Sequence, residues 1–252
     1  MANELLLQIR GLRKTFGEQV VLNGINLDLR KGQTLTILGR SGSGKSVLLK
    51  LIIGLQQADY GSIRIENTEV THAKRNELDE IRKRIGFLFQ YSALYDSLTV
   101  EENVAFPLRR HRNMSETERR VRVSELLELV QMGDAAPKMP EEISGGMKKR
   151  VGLARALAMD PVLMLMDEPT AGLDPITAGE IDELILELQR SRQMSSVVVT
   201  HEMQTVREVS DRIAMLHEGS IRIEGTYEDL KRSDDPLVAA FVKQGQGELC
   251  HA

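Results

Sequence analysis

Three short stretches of this chain carry residue types whose spacing suits chemistry on phosphate. The first is Gly39-Arg-Ser-Gly-Ser-Gly-Lys-Ser46, set between the apolar run Thr34-Leu-Thr-Ile-Leu38 and the apolar positions Val47, Leu48, Leu49, Leu51 and Ile52. It fits the pattern G-x-x-x-x-G-K-[ST] in a strand, loop, helix context. Glycines let the backbone N–H groups curl around phosphate oxygens, so Gly39, Arg40, Ser41, Gly42, Ser43, Gly44, Lys45, Ser46 and Val47 are the candidate cradle. The helix that follows adds its positive N-terminal end. The Lys45 ammonium can reach β- and γ-phosphates, and the Ser46 hydroxyl can ligate Mg²⁺. The second stretch, Val162-Leu-Met-Leu-Met-Asp167-Glu168-Pro169, is an apolar strand delivering two carboxylates at its C-terminal end, where open α/β sheets bind ligands. Side chains alternate along a strand, so the two acids do different jobs: Asp167 in a Mg²⁺ shell, Glu168 orienting or deprotonating a water. Taken alone, Asp-Glu-Pro is equally an acidic turn after a core strand.

The third stretch, Ile143-Ser144-Gly145-Gly146-Met147-Lys148, opens an apolar helix (Val151, Leu153, Ala154, Leu157, Ala158) and is a second anion-binding helix start. One chain holding one nucleotide has little use for two such sites, unless each completes the other's nucleotide across a dimer.

These residues need a sheet to hold them. Alternating patterns predict short strands within residues 4–35, broken at Gly17 and Gly24, and another at Gly61–Glu66. Ile85–Gln90 reads as a buried strand ending in a polar residue. From 161 onward strand and helix alternate: Val162–Met166, a helix over 176–192, Ser196–Thr200, a helix over 202–210, then Ile213–Leu216 and Ser220–Glu224. That order implies a mostly parallel sheet covered on both faces. Residues 91–160 read as an inserted helical lobe, with a capping box at Ser115-Glu-Thr-Glu118 and Val121, Leu126, Leu127 and Val130 at helical spacing. After Tyr227–Lys231, a small helix, the apolar stripe Leu237, Val238, Phe241, Val242 either packs on its own domain or braces another chain.

Composition narrows the classes. The 252 residues can bury a full core, and 41% of them are hydrophobic. A net charge of −4 argues against a broad nucleic-acid surface, and the short basic run Lys148-Lys-Arg150 reads as a solvated face. One cysteine excludes an internal disulfide framework or a cysteine-rich zinc site. No signal peptide is expected, and no run approaches the ~18 apolar residues of a membrane span, so any membrane role needs other chains.

Ser144-Gly-Gly, in order with the other landmarks, resembles the signature of the ATP-binding-cassette (ABC) ATPases, over about residues 5–225. The resemblance implies an α/β fold: a P-loop NTPase, RecA-like core with a mostly parallel sheet, an N-terminal antiparallel β subdomain and an inserted helical subdomain. On this reading 1–225 is the ATPase domain, with core and β subdomain at 1–90 and 160–225, helical subdomain at 91–159, and a C-terminal extension at 226–252. It also implies ATP and Mg²⁺ as cofactors, and Lys45, Glu168 and His201 as the catalytic set. Ser46, Gln90 and Asp167 would serve the metal, Ala171-Gly-Leu-Asp174 matches the D-loop, and Phe16 stands where an adenine-stacking aromatic is usual, though a lone Phe among strands is ordinarily core. Met147 departs from the usual glutamine.

A finer resemblance is carried by Tyr91–Leu108, the Ser-Gly-Gly-Met form of the signature, Asp174-Pro-Ile-Thr177 and Asp235-Pro-Leu-Val-Ala-Ala-Phe241. These look like the ATPases of the MCE-associated lipid transporters, the Mla type. That implies phospholipid transport, a second copy packed head to tail, an integral membrane permease, a periplasmic MCE-type lipid-binding subunit, a small accessory subunit and a place on the cytoplasmic face of a bacterial inner membrane. Another ABC importer or exporter, or a soluble ABC ATPase without a permease, stays open.

Overall fold

The computed structural model describes residues 4–247. Two long strands, β1 (Leu5–Phe16) and β2 (Gln19–Arg30), pair antiparallel across the turn at Gly17. The glycine spacing predicts a second break at Gly24, but β2 runs through it. Gly24, at φ 77°, is the extra residue between the pairs Leu12–Ile25 and Arg13–Asn23, a bulge that re-aims the strand without ending it. With β4 (Tyr60–Ile65) and the two-residue β5 (Thr68–Glu69) they form an antiparallel sheet in the order β2-β1-β4-β5.

A second sheet carries the chemistry. Its parallel strands are β3 (Thr34–Leu38), β6 (Ile85–Leu88), β7 (Leu163–Asp167), β8 (Ser196–Thr200) and β9 (Arg212–His217), with β10 (Ser220–Gly225) antiparallel on the β9 edge, in the order β10-β9-β3-β8-β7-β6. Every residue of β3, β7 and β8 is buried, as strands covered on both faces require. The period-two alternation splits each strand between two cores. Leu163, Leu165, Val197 and Val199 join the core shared with β1, β2, β4 and α1 (Lys45–Ile52). Met164, Met166 and Val198 face the helical side. The strand after α2 (Arg75–Arg82) ends at Leu88, not Gln90, and Phe89 turns outward.

The region 91–160 is helical, as its spacing predicts: α3 (Val100–His111), α4 (Glu116–Leu129) and α5 (Gly145–Leu157). The capping box forms, with the Glu118 amide donating to Ser115 Oγ at 3.2 Å and the Ser115 amide to Glu118 Oε2 at 2.7 Å. On α4 the inner face is Val123, Leu126 and Leu127, whereas Val121 is 55% exposed.

The remaining helices are α6 (Pro175–Arg192), α7 (Met203–Val209), α8 (Tyr227–Lys231) and α9 (Pro236–Gly247). Val238 and Val242 of the C-terminal stripe are buried against Met203, Val206, Ile213, Met215 and Leu230, with Leu237 and Phe241 packed alongside. Full burial of each such aliphatic side chain is worth about 1.5–3 kcal/mol, so this stripe fastens α9 to its own chain.

Candidate functional site

Strands β3, β8, β7 and β6 are neighbours and parallel, so their C-terminal ends share one edge, and each end delivers a residue of interest. After β3, the Gly39 amide donates to Thr200 O of β8 at 3.3 Å, tying the loop to the sheet. A Cβ on Gly39 would stand 2.6 Å from Leu216 O, so no side chain fits there. Gly44, at φ 103°, starts α1 without any side-chain cap. Among the described residues no hydrogen bond occupies the amides of Ser41, Gly42, Gly44, Lys45, Ser46 or Val47, and Ser43 Oγ is buried without a partner. An uncapped helix start preceded by free amides is an anion cradle.

Lys45 is 5% exposed. Its ammonium donates to Gly39 O at 2.8 Å and Arg40 O at 3.2 Å, and pairs with Glu168 Oε1 at 3.2 Å. Ser46 Oγ donates to Asp167 Oδ1 at 2.9 Å. Burial pushes the Asp167 carboxyl above the usual carboxylate range, Ser46 acts against that shift, and Glu168 adds to it.

Glu168 stands just past β7 with φ 47°, a left-handed conformation that a non-glycine residue holds only at a cost of about 1–3 kcal/mol. Its backbone is fixed by donation to Val199 O at 2.9 Å. Its Oε2 meets His201 Nδ1 at 2.9 Å and accepts from the His201 amide at 3.4 Å. The carboxylate is thus clamped between Lys45 and His201, one oxygen to each.

The structure gathers Gly39–Val47, Asp167, Glu168 and His201 at this edge, with Gln90 two residues beyond β6. Phe16, at the tip of the β1–β2 hairpin, is 44% exposed and so is no core residue; the Lys14 ammonium lies 5.2 Å from its ring centre. Ser144 caps α5, its Oγ accepting from the Met147 amide at 3.3 Å, and Asp174 caps α6 through the Ile176 and Thr177 amides, both at 3.1 Å. Among the described residues no hydrogen bond or ion pair joins Ser144, Gly145, Gly146 or Asp174 to residues 39–47. Ser144 and Gly145 are exposed while Gly146 is buried, and a Cβ there would come 2.5 Å from Thr177 Cγ2.

Lys149 corrects the reading of Lys148-Lys-Arg150 as a solvated run. It is 4% exposed and donates to Gln90 O at 2.5 Å and Glu168 O at 3.0 Å, bolting α5 to two strand ends. Burial lowers its ammonium to about 8, opposed by Glu202, Glu168 and Asp167. Its position three residues after Gly146 and four before Leu153 places it on the inner face of α5, a signal the charge run obscured.

The donor set fits a divalent cation and a triphosphate. Ser46 and Asp167 supply hard oxygen ligands side by side, the loop amides suit phosphate oxygens, and the Lys45 ammonium adds positive charge beside them. Among the described residues no cluster of three or more His, Cys, Asp or Glu is arranged for a metal, so such an ion would complete its shell from phosphate and water.

Comparison with known proteins agrees. The model of the ABC transporter family matches residues 22–171. The chain is 42% identical over 236 residues to a probable ribonucleotide transport ATP-binding protein, mkl, of Mycobacterium leprae, spanning 94% of this chain and 68% of that protein. It is 43% identical over 224 residues to the methionine import ATP-binding protein MetN of Rhizobium johnstonii, spanning 89% of this chain and 62% of that protein. The chain therefore covers about two-thirds of the length of these relatives. A dimeric post-hydrolysis structure of the ATP-binding cassette MJ0796, bound to ADP and Pi, superposes with a TM-score of 0.80 at 35% identity, covering 88% of this chain and 98% of that one. A match over more than half of the chain and relatives of this similarity settle its kinship: the chain belongs to the ABC transporter family, as an ATP-binding ATPase subunit whose cofactors are ATP and Mg²⁺.

Proposed function

We propose that this ATPase drives phospholipid transport through a separate membrane permease in a bacterial envelope. The observation that carries the coupling is a groove of about 1180 Å³, lined by Phe87, Phe89, Tyr95, Phe106, Arg110 and Arg155 among others. Phe87 and Phe89 stack at 4.2 Å and Tyr95 meets Phe106 at 4.6 Å, presenting aromatic surface to solvent between β6 and α3. Such a groove suits an amphipathic helix of a membrane partner. Among the described residues no helix is long and apolar enough to cross a membrane, so spanning falls to that partner. Lipid is favoured as cargo by the likeness of Tyr91–Leu108, Ser144–Met147, Asp174–Thr177 and Asp235–Phe241 to the Mla-type ATPases. That likeness also argues for an MCE-type lipid-binding subunit, a small accessory subunit and a site on the cytoplasmic face of an inner membrane.

The catalytic reading follows from the site. Residues 39–47 with Lys45 would bind the phosphates, Ser46, Asp167 and Gln90 the Mg²⁺ shell, and Phe16 the adenine. Bound Mg²⁺ would neutralise charge on the transferring phosphoryl group. Glu168 would accept a proton from the attacking water, and His201, hydrogen-bonded to Glu168, would contact the γ-phosphate. Ser144, Gly145, Gly146 and Asp174 would complete the site of a second copy packed head to tail. The Ser144 hydroxyl can accept from the Met147 amide and still donate to that phosphate. In domain terms, 91–159 is the lobe that meets the permease, 1–90 with 160–225 the ATP-binding body and 226–252 an extension.

The names of the relatives favour a second reading, transport of a polar solute such as a ribonucleotide or import of methionine. Purifying the subunit with its permease decides between them. The expected result is co-purified phospholipid by mass spectrometry and ATPase activity stimulated by phospholipid. Stimulation by methionine or a ribonucleotide, with no bound lipid, would overturn the lipid assignment.

A further inference from the structure

Behind the hydrolytic edge, three buried side chains and the half-buried Glu202 form a polar chain linking α6, α7 and the turn after β7. Asp182 of α6 is 1% exposed, Thr205 of α7 is 0% and Thr170 is 1%. Asp182 Oδ2 lies 3.0 Å from Thr205 Oγ1, which lies 3.0 Å from Thr170 Oγ1, which lies 2.6 Å from Glu202 Oε2. Three hydrogen bonds in series need three protons, and two hydroxyls supply one each. With both carboxyls ionised, one contact would set lone pair against lone pair. The chain is satisfied only when one carboxyl carries the third proton.

Asp182 is that carboxyl. Among the described residues its buried Oδ1 has no hydrogen-bond partner, a position a neutral acid tolerates far better than an anion does. Glu202 is only half-buried, and the Lys149 ammonium of α5 interacts with it electrostatically. Among the described residues, the charged groups that act on Asp182 are the carboxylates of Glu202 and Glu208. Glu208 of α7 is paired with Arg207, and Arg150 of α5 is held by Glu180 of α6.

We propose that protonated Asp182 is a positioning residue for hydrolysis, its O–H donating to Thr205, Thr205 to Thr170, and Thr170 to Glu202. This one-way chain fastens Glu202, and with it the adjoining His201, to the turn that begins at Glu168. The proposal rests on the assignment of Glu168 and His201 to the hydrolytic step. Burial pushes the Asp182 carboxyl up to about 7, with Glu202 and Glu208 adding to the shift and Thr205 opposing it. The clamp is therefore complete below that pH and is lost as pH rises through it, when a second negative charge would face Glu202.

The test compares pH–rate profiles of the purified ATPase and of Asp182→Asn and Thr205→Val. The Asn side-chain amide donates to Thr205 as the acid does but does not titrate. The unmodified protein is expected to lose kcat as pH rises past about 7 with KM for ATP little changed. Asp182→Asn should keep the low-pH kcat and flatten the profile. Thr205→Val should lose kcat about 10–100-fold at every pH, the scale of a catalytic group displaced by about 1 Å. Infrared difference spectra should show a protonated-carboxyl band that Asp182→Asn lacks. Superimposable profiles, or a spectrum unchanged by Asp182→Asn, would overturn the proposal. Were Glu168→Gln to hydrolyse ATP normally, the hydrolytic assignment would fall, while the infrared band would still report on Asp182.

Discussion

Glu168 is held at the sheet edge by a left-handed backbone, an ammonium on one carboxylate oxygen and an imidazole on the other. Structures maintain such strain where a side chain must be aimed. Glu168→Gln keeps the shape and hydrogen-bonding reach but cannot take a proton, so kcat should fall by about 10²–10⁴-fold, the contribution of a positioned general base. ATP affinity should stay, because Lys45, Ser46 and the loop amides are untouched. Turnover at the normal rate, measured by phosphate release, would remove Glu168 from that role. The residues of this site were mostly legible in the sequence, because loop, paired acids and histidine each follow an apolar strand of recognisable length. Lys149 and Asp182 were not. Periodicity marks which face of a helix is buried, but it does not tell a buried lysine or aspartate from an exposed one when partners come from distant elements, as Gln90 O and Thr205 do.

Elements differ in how plainly they announce themselves. The strands of the parallel sheet are continuous apolar runs and were placed within a residue or two. The eight-residue α2 buries only Ile81 and β5 has two residues, so neither leaves a hydrophobic rhythm to detect. Gly146 shows a further limit. Its flanks identify an anion-binding helix start, yet its position also sets how closely α5 approaches α6 at Thr177. Thr177 cannot simply rotate away, since its hydroxyl donates to Asp174 Oδ2 at 2.6 Å. Gly146→Ala should therefore destabilise the protein by about 1–3 kcal/mol, the usual cost of overpacking, seen as a lowered Tm. Thr177→Ser removes the Cγ2 in the way and keeps the hydroxyl, so adding it to Gly146→Ala should recover most of the loss. Equal Tm values for the single and double variants would mean that the α5–α6 contact is not what Gly146 protects.

At the scale of the whole molecule, the two anion-binding helix starts belong to one chain without meeting in it. Ser144 and Asp174 spend their oxygens capping their own helices, and nothing among the described residues ties them to the phosphate loop. Two copies related by a twofold axis would place each signature opposite the other's loop, since a contact from one copy is repeated by its mate. Mixing variants tests this arrangement. Lys45→Ala leaves its own loop inactive but its signature intact, and Ser144→Arg does the reverse, at about 1 kcal/mol for the lost cap. Either alone should neither dimerise with ATP nor turn it over. Mixed, they would form dimers in which one site is doubly broken and the other wholly intact, so ATP-dependent dimers by light scattering and measurable hydrolysis should reappear. A chain that closed its own site would give no recovery at any mixing ratio, because no single copy in the mixture would hold both halves.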